Sequence, residues 1–581
     1  MHADGEVSSD EVVTRKKGRQ QPKLADTPSS SASPSANLPF NASMKRDWCQ
    51  GRISAKQVQE YAFGAQQQGA VGVIDMAKAG SSGRHPQNIH RSLVSMFGKP
   101  DGAPAFCWHD IPTKKGRVLQ PFMLPHEWFA ALCREKPDLF NATIKGGDDS
   151  TCTAFWTCMA ETPFLRRHPV LSRDMLSKTI PLGFYGDAGS FSHQDSLYVF
   201  TWNSMLGGGQ TMSKKFLITC LKKSDIGPGT LDAIFKVIAW SFNALLTGIW
   251  PEVDWKGQPI EGGSYLAGGL RGCLTQVRGD WEFYTSIFAF PRWNQATNMC
   301  WLCQASSRGP LRFTNFADDA AWRATRRTHE SYVAELQAAG KPLPVLFVEV
   351  IGLRLESVMI DVLHTCDQGV ASHIIGNIFE ECLAQGVFCA GGRAANLEAL
   401  NKELLGWYTR CKITSRVKGK LTQERIKTSA GWPKLKAKAA GTRHAMPFAL
   451  ELAQQHLDRR RVVLCQLFCE FYGLLDSQGM FLDSGAKQRL PILGKQICGL
   501  YAQLAQLSFQ DGKKGWKVTP KVHLMLHLCE WQAPSVGNPR FFWVYSDEDF
   551  VGSMIEVAQS CHSSTMAPTA MVKWLAMAFD L

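Results

Sequence analysis

The stretch IPLGFYGDAGSFSHQDSLYVFTW, residues 180–202, decides the fold. An apolar run ends at Asp187 between small residues, a polar turn follows, and 196–202 is rich in β-branched and aromatic side chains. The pattern predicts two strands joined by a turn. Beyond the glycines at 207–209 a third strand is expected over 215–221. Leu231, Ile234, Phe235, Ile238, Phe242, Leu245 and Leu246 then recur at spacings of three and four, the period of an amphipathic helix. Pro228-Gly229 and Trp250-Pro251 bracket that helix. A short apolar strand, 273–277, leads into Arg278-Gly279-Asp280.

The predicted order is strand ending in Asp, strand, strand, helix, strand ending in Asp. This is the order of the ribonuclease-H-like fold, whose first and fourth strands present two metal-binding carboxylates side by side. Two-metal phosphodiester chemistry needs carboxylates converging from different strands, because cations about 4 Å apart require bridging and terminal anions. Asp187 and Asp280 meet that need, and Gly186 and Gly279 are expected to let the backbone turn so that each carboxylate faces a cleft. Taken singly, each aspartate reads as a turn residue; their joint position in the strand order points to chemistry. The third acid is expected in WVYSDEDFVGSMIEVA (543–558), where a short strand, 541–545, leads into an apolar helix. Glu548 is the choice, with Asp547 and Asp549 as rivals and helix capping as the competing role.

A chain of 581 residues exceeds one ordinary core, so two or three domains are expected. Residues 1–42 are poor in apolar side chains and predict a disordered tail, in which Arg15, Lys16, Lys17 and Arg19 suit a nuclear-import signal. Residues 43–175, with a helix at 54–68 and a Gly/His/Pro loop at 80–87, form an accessory region with no catalytic signature. Residues 176–300 begin the core. Residues 301–535 read as a mainly helical insertion, with helices at 317–339, 370–384, 396–408, 445–475 and 490–507 and a strand or two at 345–351. Residues 536–581 return to the core. The fold class is therefore α/β: a mixed-sheet core interrupted by a large α-helical insertion, with a disordered N-terminus.

Lys and Arg number 64 against 51 Asp and Glu, a net +13. Eleven of those cations and one acid, Glu424, fall between Arg410 and His444, so 35 residues carry +10. Such a concentration suits a phosphate backbone, where each neutralised phosphate releases a counterion. Arg416, Lys418, Lys420, Lys434, Lys436, Lys438 and Arg443 are the expected DNA contacts, set against the plainer reading of a solvated basic linker. Arg459–Arg461 and the lysines around Trp516 add to the same surface or simply face solvent. The start of the chain has no apolar run, and the 18 cysteines are scattered, which predicts reduced intracellular thiols. The most apolar window, 231–250, is broken by Asp232, Lys236 and Asn243, so no membrane span is expected.

Cys300-x-x-Cys303 has half the spacing of a structural zinc site, which His364 and Cys366 would complete. His523 and His527 lie four apart on one helical face and read as packed histidines, since no Glu adjoins the first as in a metalloprotease.

Three segments together carry a resemblance: IPLGFYGDAGSFSHQDSLYVFTW, then RGDWEFYTSIFAFPRWNQATNMCWLC (278–303), then IDVLHTCDQGVASHIIGNIF (360–379). They resemble the transposases of CACTA-type and related cut-and-paste DNA elements, which share a Gly-Asp after a first strand, a second Gly-Asp followed by Cys-x-x-Cys, and an Asp-x-x-His opening a helix. LKAKAAGTRHAMPF (435–448) and PKVHLMLH (520–527) are similar to further pieces, so the likeness spans about residues 176–560. It implies a DDE/D core holding Mg²⁺ or Mn²⁺, in which Asp187 and Asp280 match the first two acids, while Glu548 stands as the third only by its position near the C-terminus. The expected activity is metal-dependent DNA strand cleavage or transfer in the nucleus, with DNA and a second copy of the chain as partners. No N-terminal zinc finger or helix-turn-helix is recognisable, which suits a degenerate or domesticated copy. The alternative is a non-catalytic DNA-binding or scaffold protein derived from a transposon, in which the third acid would not converge on the first two. A zinc-stabilised interaction protein is a third reading.

Overall fold

The computed structural model describes residues 40–79, 86–98 and 100–578. Residues 1–39 of the expected tail, with its basic run, and most of the 80–87 loop lie outside the described residues, while 40–42 open a helix. Helices of eight residues or more are numbered below.

Thr179–Ser190 forms β3, after a hairpin of β1 (Cys107–Thr113) and β2 (Gly116–Phe122). β3 pairs antiparallel with β4 (Ser196–Ser204), β4 pairs antiparallel with β5 (Phe216–Lys222), and β6 (Arg271–Arg278) lies parallel to β3 on its other side. The sheet is mixed, in the order β5-β4-β3-β6. Parallel pairing of β3 with β6 requires a crossover of a dozen or more residues. The helix Thr230–Thr247 supplies it.

The N-terminal helices are α1 (Phe40–Cys49), α2 (Ala55–Gln67, capped by Ser54) and α3 (Pro86–Phe97). They share a small apolar cluster around Trp48, Val58 and Leu93. The hairpin and α4 (Pro125–Glu135) instead join the main core, and α5 (Asp149–Met159) packs beside them with Trp156 donating to the Thr179 carbonyl. Residues 43–175 are thus two pieces packed on the molecule in different ways.

The crossover helix, α6, starts after Gly229 at φ 76° and stops at Gly248 at φ 70°. Its end is a left-handed glycine cap two residues before the expected Trp250-Pro251 stop. Phe235 and Phe242 of α6 stand edge-on to Phe184 of β3 at 6.3 and 6.2 Å. Among the described residues α6 alone is long and apolar enough to cross a membrane. Its buried face lies on the sheet as a core helix.

Both sheet edges are covered. The Met123 amide at the end of the hairpin donates to Ile218 of β5. On the far side Val358 bridges Val277 in parallel and the Met359 amide donates to the Val277 carbonyl at 2.9 Å. The strand expected at 345–351 is instead a short helix, Val345–Glu349; the sheet contact comes from Val358, nine residues beyond it.

β6 leads into α7 (Trp281–Phe288), and α8 spans His329–Ala338. A π-helical segment, Leu363–Ala371, runs straight into α9 (Ser372–Gln385), followed by α10 (Gly392–Arg410), α11 (Ala439–His456) and α12 (Arg459–Ser477). The single helix expected over 445–475 is therefore two, because the Asp458 carboxylate accepts the Arg460 and Arg461 amides and starts a new helix there. The remaining helices are α13 (Ser484–Gln510), α14 (Pro520–His527), α15 (Tyr545–Gln559) and α16 (Met566–Ala578). The strand expected at 541–545 is absent: Pro539–Phe541 is a 3₁₀ turn and α15 begins at Tyr545. α16 carries Ala576 into the N-terminal cluster and Trp574 against Trp128.

Gly186 and Gly279 do not serve the turns expected of them, since neither backbone has positive φ. They make room for one ring. A Cβ on Gly186 would stand 2.4 Å from Phe283 Cζ, and one on Gly279 would stand 2.3 Å from Phe283 Cδ1. Gly186→Ala is expected to destabilise by about 1–3 kcal/mol through overpacking, read by chemical denaturation.

An acidic cleft and a cysteine–histidine centre

Asp187 sits near the end of β3, Asp280 follows β6, and Glu548 lies in the first turn of α15. The parallel pairing of β3 with β6 runs to Tyr185 opposite Arg278, so the two aspartates emerge from adjacent strand ends. α15 is pressed onto β3, where Gly189 leaves room for Ile555 and Val551. That packing brings Glu548 to the aspartates. The Tyr185 hydroxyl lies 3.1 Å from both Asp187 Oδ2 and Glu548 Oε1, and Glu548 also shares a hydrogen bond with Asp187. Asp187 Oδ1 accepts the Ala188 amide at 2.7 Å, and Asp280 Oδ1 accepts the Phe283 amide at 2.6 Å. Asp280 therefore caps α7 as well as facing the cleft.

All three acids are half-buried. Burial first, then the charges of Asp280 and Glu548, push the Asp187 carboxyl well above the usual range. Burial likewise raises Asp280 and Glu548, against the opposing charge of His364. His364 Nδ1 lies 2.9 Å from Asp361 Oδ2 and Nε2 lies 3.7 Å from Glu548 Oε1. Burial works against its protonation, but the Asp361 hydrogen bond and the charges of Asp361 and Glu548 outweigh that and raise it to about 9. His364 is thus a cation of the acidic cleft and no ligand of the Cys-x-x-Cys pair.

Asp361 orders this edge. Its Oδ1 accepts the Leu363 and Val544 amides, the latter just before α15, and its Oδ2 accepts the His364 amide. Asp367, inside the π-helical segment, accepts the Tyr545 hydroxyl at 2.7 Å and the Tyr472 hydroxyl at 2.5 Å. Such π segments are frequent at functional sites.

The rivals of Glu548 have other partners. Asp547 is fully buried, with Oδ1 2.5 Å from Lys215 Nζ and 3.3 Å from Arg278 Nη2, and Asn203 joins both cations. Asp549 is exposed and feels the charge of Lys438. No side-chain cap of α15 is formed, so capping does not explain the acidic cluster. Asp547→Ala would strand two buried cations and is expected to destabilise by about 3–5 kcal/mol, whereas exposed Asp549→Ala should move the denaturation midpoint little.

The second centre corrects the expected ligand set. Cys300, Cys303, His523 and His527 are all buried, and one donor atom of each lies within 4.8 Å of the others. Cys303 Sγ is 3.3 Å from His523 Nε2 and 3.4 Å from His527 Nε2, and the two Nε2 atoms are 2.8 Å apart. His364 is at the acidic cleft, and buried Cys366 lies near Asp367 and Cys529 instead. The Leu302 amide donates to Cys300 Sγ, and the buried Arg327 guanidinium clamps the Cys300 and Cys303 carbonyls. Burial raises the Cys300 thiol, but its hydrogen bonds with Cys303, His523 and His527 outweigh it and hold it below its ordinary value. Burial holds His527 down to about 4, leaving a neutral ring. Two thiols and two imidazoles at these separations could hold a metal ion such as zinc. The four-residue spacing of the histidines was visible in the sequence but read as packing, because their partners are more than 200 residues away.

The basic tract is folded between α10 and α11, where Arg425 donates to the Lys418 and Lys420 carbonyls. Arg416, Lys418, Lys420, Lys436 and Lys438 are exposed and Lys434 is half-buried. Arg443 is not available to a ligand: it is 7% exposed, pairs with Asp476 at 2.9 Å, and lies over the Tyr472 and Trp543 rings. Acids from outside the tract also meet Arg410, Lys420 and Lys427, through Glu451, Glu398 and Glu380. A window count along the sequence overstates the field because it omits these neighbours.

Comparison with protein-family models and with curated proteins returns no match.

Proposed function

We propose that this protein is a metal-dependent DNA strand-cleaving or strand-transferring enzyme of the DDE/D transposase type, built on a ribonuclease-H-like core. The observation that carries the reading is the meeting of Asp187 and Glu548 on one tyrosine hydroxyl, from a strand end and a distant helix, with Asp280 at the adjacent strand end acting on Asp187 through its charge. The strand order supports it as well, since β3 and β6 are its first and fourth strands, joined through the crossover α6. The convergence also weighs against a scaffold that has lost its site.

The donor set suits Mg²⁺ or Mn²⁺: three hard carboxylates, each raised first by burial and Asp187 also by the charges of Asp280 and Glu548. Divalent ions there would supply charge stabilisation for the attacking and leaving oxygens of an in-line displacement. The chain's own groups fix the acids. Ala188 and Phe283 amides orient one oxygen of each aspartate, Tyr185 ties Asp187 to Glu548, and Asp361 holds both His364 and the chain entering α15. The exposed lysines of the basic tract are the DNA-facing surface, and the Lys438 charge acts on Asp549, the neighbour of Glu548 in α15.

Mn²⁺ titration followed by electron paramagnetic resonance tests this reading, together with nicking of supercoiled DNA. Binding of Mn²⁺ and Mn²⁺-dependent nicking, both absent from Asp280→Asn, are expected. Mn²⁺ binding unchanged by Asp280→Asn would overturn it.

A further inference from the structure

α14 joins the two centres. His523 and His527 turn one side of it into the cysteine–histidine centre, while Lys521, in its first turn, points the other way along the π-helical segment. The stem of Lys521 crosses Gly369 so closely that a Cβ there would stand 2.8 Å from Lys521 Cδ and 3.0 Å from the His364 carbonyl. A side chain at 369 would block the passage. The route leads toward the acidic cleft, where the Lys521 charge acts on both Asp280 and His364.

A lysine is poorly placed for helix stability here. The N-terminus of a helix carries partial positive charge and favours acids, and α14 has Thr519 at its cap and Pro520 at its first position. The helix end therefore disfavours this cation, whereas the charge of Asp280 favours it. Lys434 of the basic tract and Lys517 act with it on buried His373.

From this placement we infer that Lys521 is a substrate-binding residue, whose ammonium contacts a DNA phosphate at the mouth of the acidic cleft and which the cysteine–histidine centre holds in place through α14. The inference rests on the reading of the cleft as a DNA-processing site. Each lysine that neutralises a phosphate contributes a released counterion, so its removal lowers the salt dependence of binding by about one unit of slope.

The test measures the affinity of the full-length protein for a duplex DNA from low to moderate salt, with Ca²⁺ in place of Mg²⁺. Lys521→Met is expected to weaken binding about tenfold at low salt and to reduce the slope by about one, with Lys521→Arg restoring both. Zinc content and thermal midpoint are measured alongside. An unchanged slope in Lys521→Met overturns the inference, as does a Lys521→Arg variant as weak as Lys521→Met. Because the readout is binding, failure here leaves the Mn²⁺ test of the acids standing. Failure of that test leaves the slope measurement valid.

Discussion

Asp187→Asn is expected to remove metal-dependent strand cleavage, with a fall in rate of about 10³-fold or more, while the folded protein and its DNA affinity persist. Metal ions contribute several kcal/mol of transition-state charge stabilisation, and each factor of ten in rate is worth about 1.4 kcal/mol. The substitution is nearly isosteric. An asparagine oxygen still accepts the Ala188 amide, so the end of β3 keeps its local geometry. Stability should move in the opposite sense to activity. The folded pKa of Asp187 is raised above its ordinary value of 3.8, chiefly by burial and then by Asp280 and Glu548. The unfolded chain therefore loses this proton first, and metal-free stability falls as pH rises from about 4 through the folded pKa. The asparagine side chain has no such proton to lose, so the metal-free variant should melt above wild type at neutral pH and below Mn²⁺-loaded wild type. Thermal scans from pH 4 to 8, with and without Mn²⁺, check both statements. Retained cleavage by Asp187→Asn would remove the catalytic assignment.

The sheet and its crossover helix were legible because their signals are local: apolar runs of strand length, glycine-rich turns, and a helix with a three-and-four repeat. The elements misread were those whose form depends on partners. Residues 541–545 have strand composition, yet the amide of Val544 is taken by Asp361 from the insertion and the chain turns into α15. Residues 345–351 are rich in Val, Leu and Ile, but the sheet edge is met by Val358. The role of Gly186 and Gly279 was equally hidden, since it belongs to a ring at 283 that only the fold brings between them. Choosing Glu548 over its neighbours depended on helix phase. At consecutive positions Asp547 turns inward to Lys215 and Arg278, Glu548 turns to the cleft, and Asp549 turns to solvent.

Loss of the cysteine–histidine centre is the other change expected to have a large effect, and it separates the two ligand sets. Structural zinc bound by cysteine and histidine contributes about 10–16 kcal/mol at neutral pH in small domains, comparable to the whole stability of an ordinary domain, about 5–15 kcal/mol. Here the four ligands join the loop after α7 to the end of the helical insertion. Removing the ion would leave that connection to packing around Trp322, whose ring meets His523 at 4.5 Å and His527 at 5.2 Å. The purified protein is expected to carry one equivalent of zinc by metal analysis. Cys303→Ser and His523→Ala should each lose it, with a large drop in the thermal midpoint and a loss of helical circular dichroism. His364→Ala and Cys366→Ala should retain the full equivalent. Lys521→Met should also retain it, since that side chain leaves α14 on the side away from the ligands. Zinc lost from His364→Ala but kept by His523→Ala would return the centre to the ligand set expected from sequence. Stoichiometric zinc in both Cys303→Ser and His523→Ala, as well as in His364→Ala and Cys366→Ala, would place the ion elsewhere in the chain.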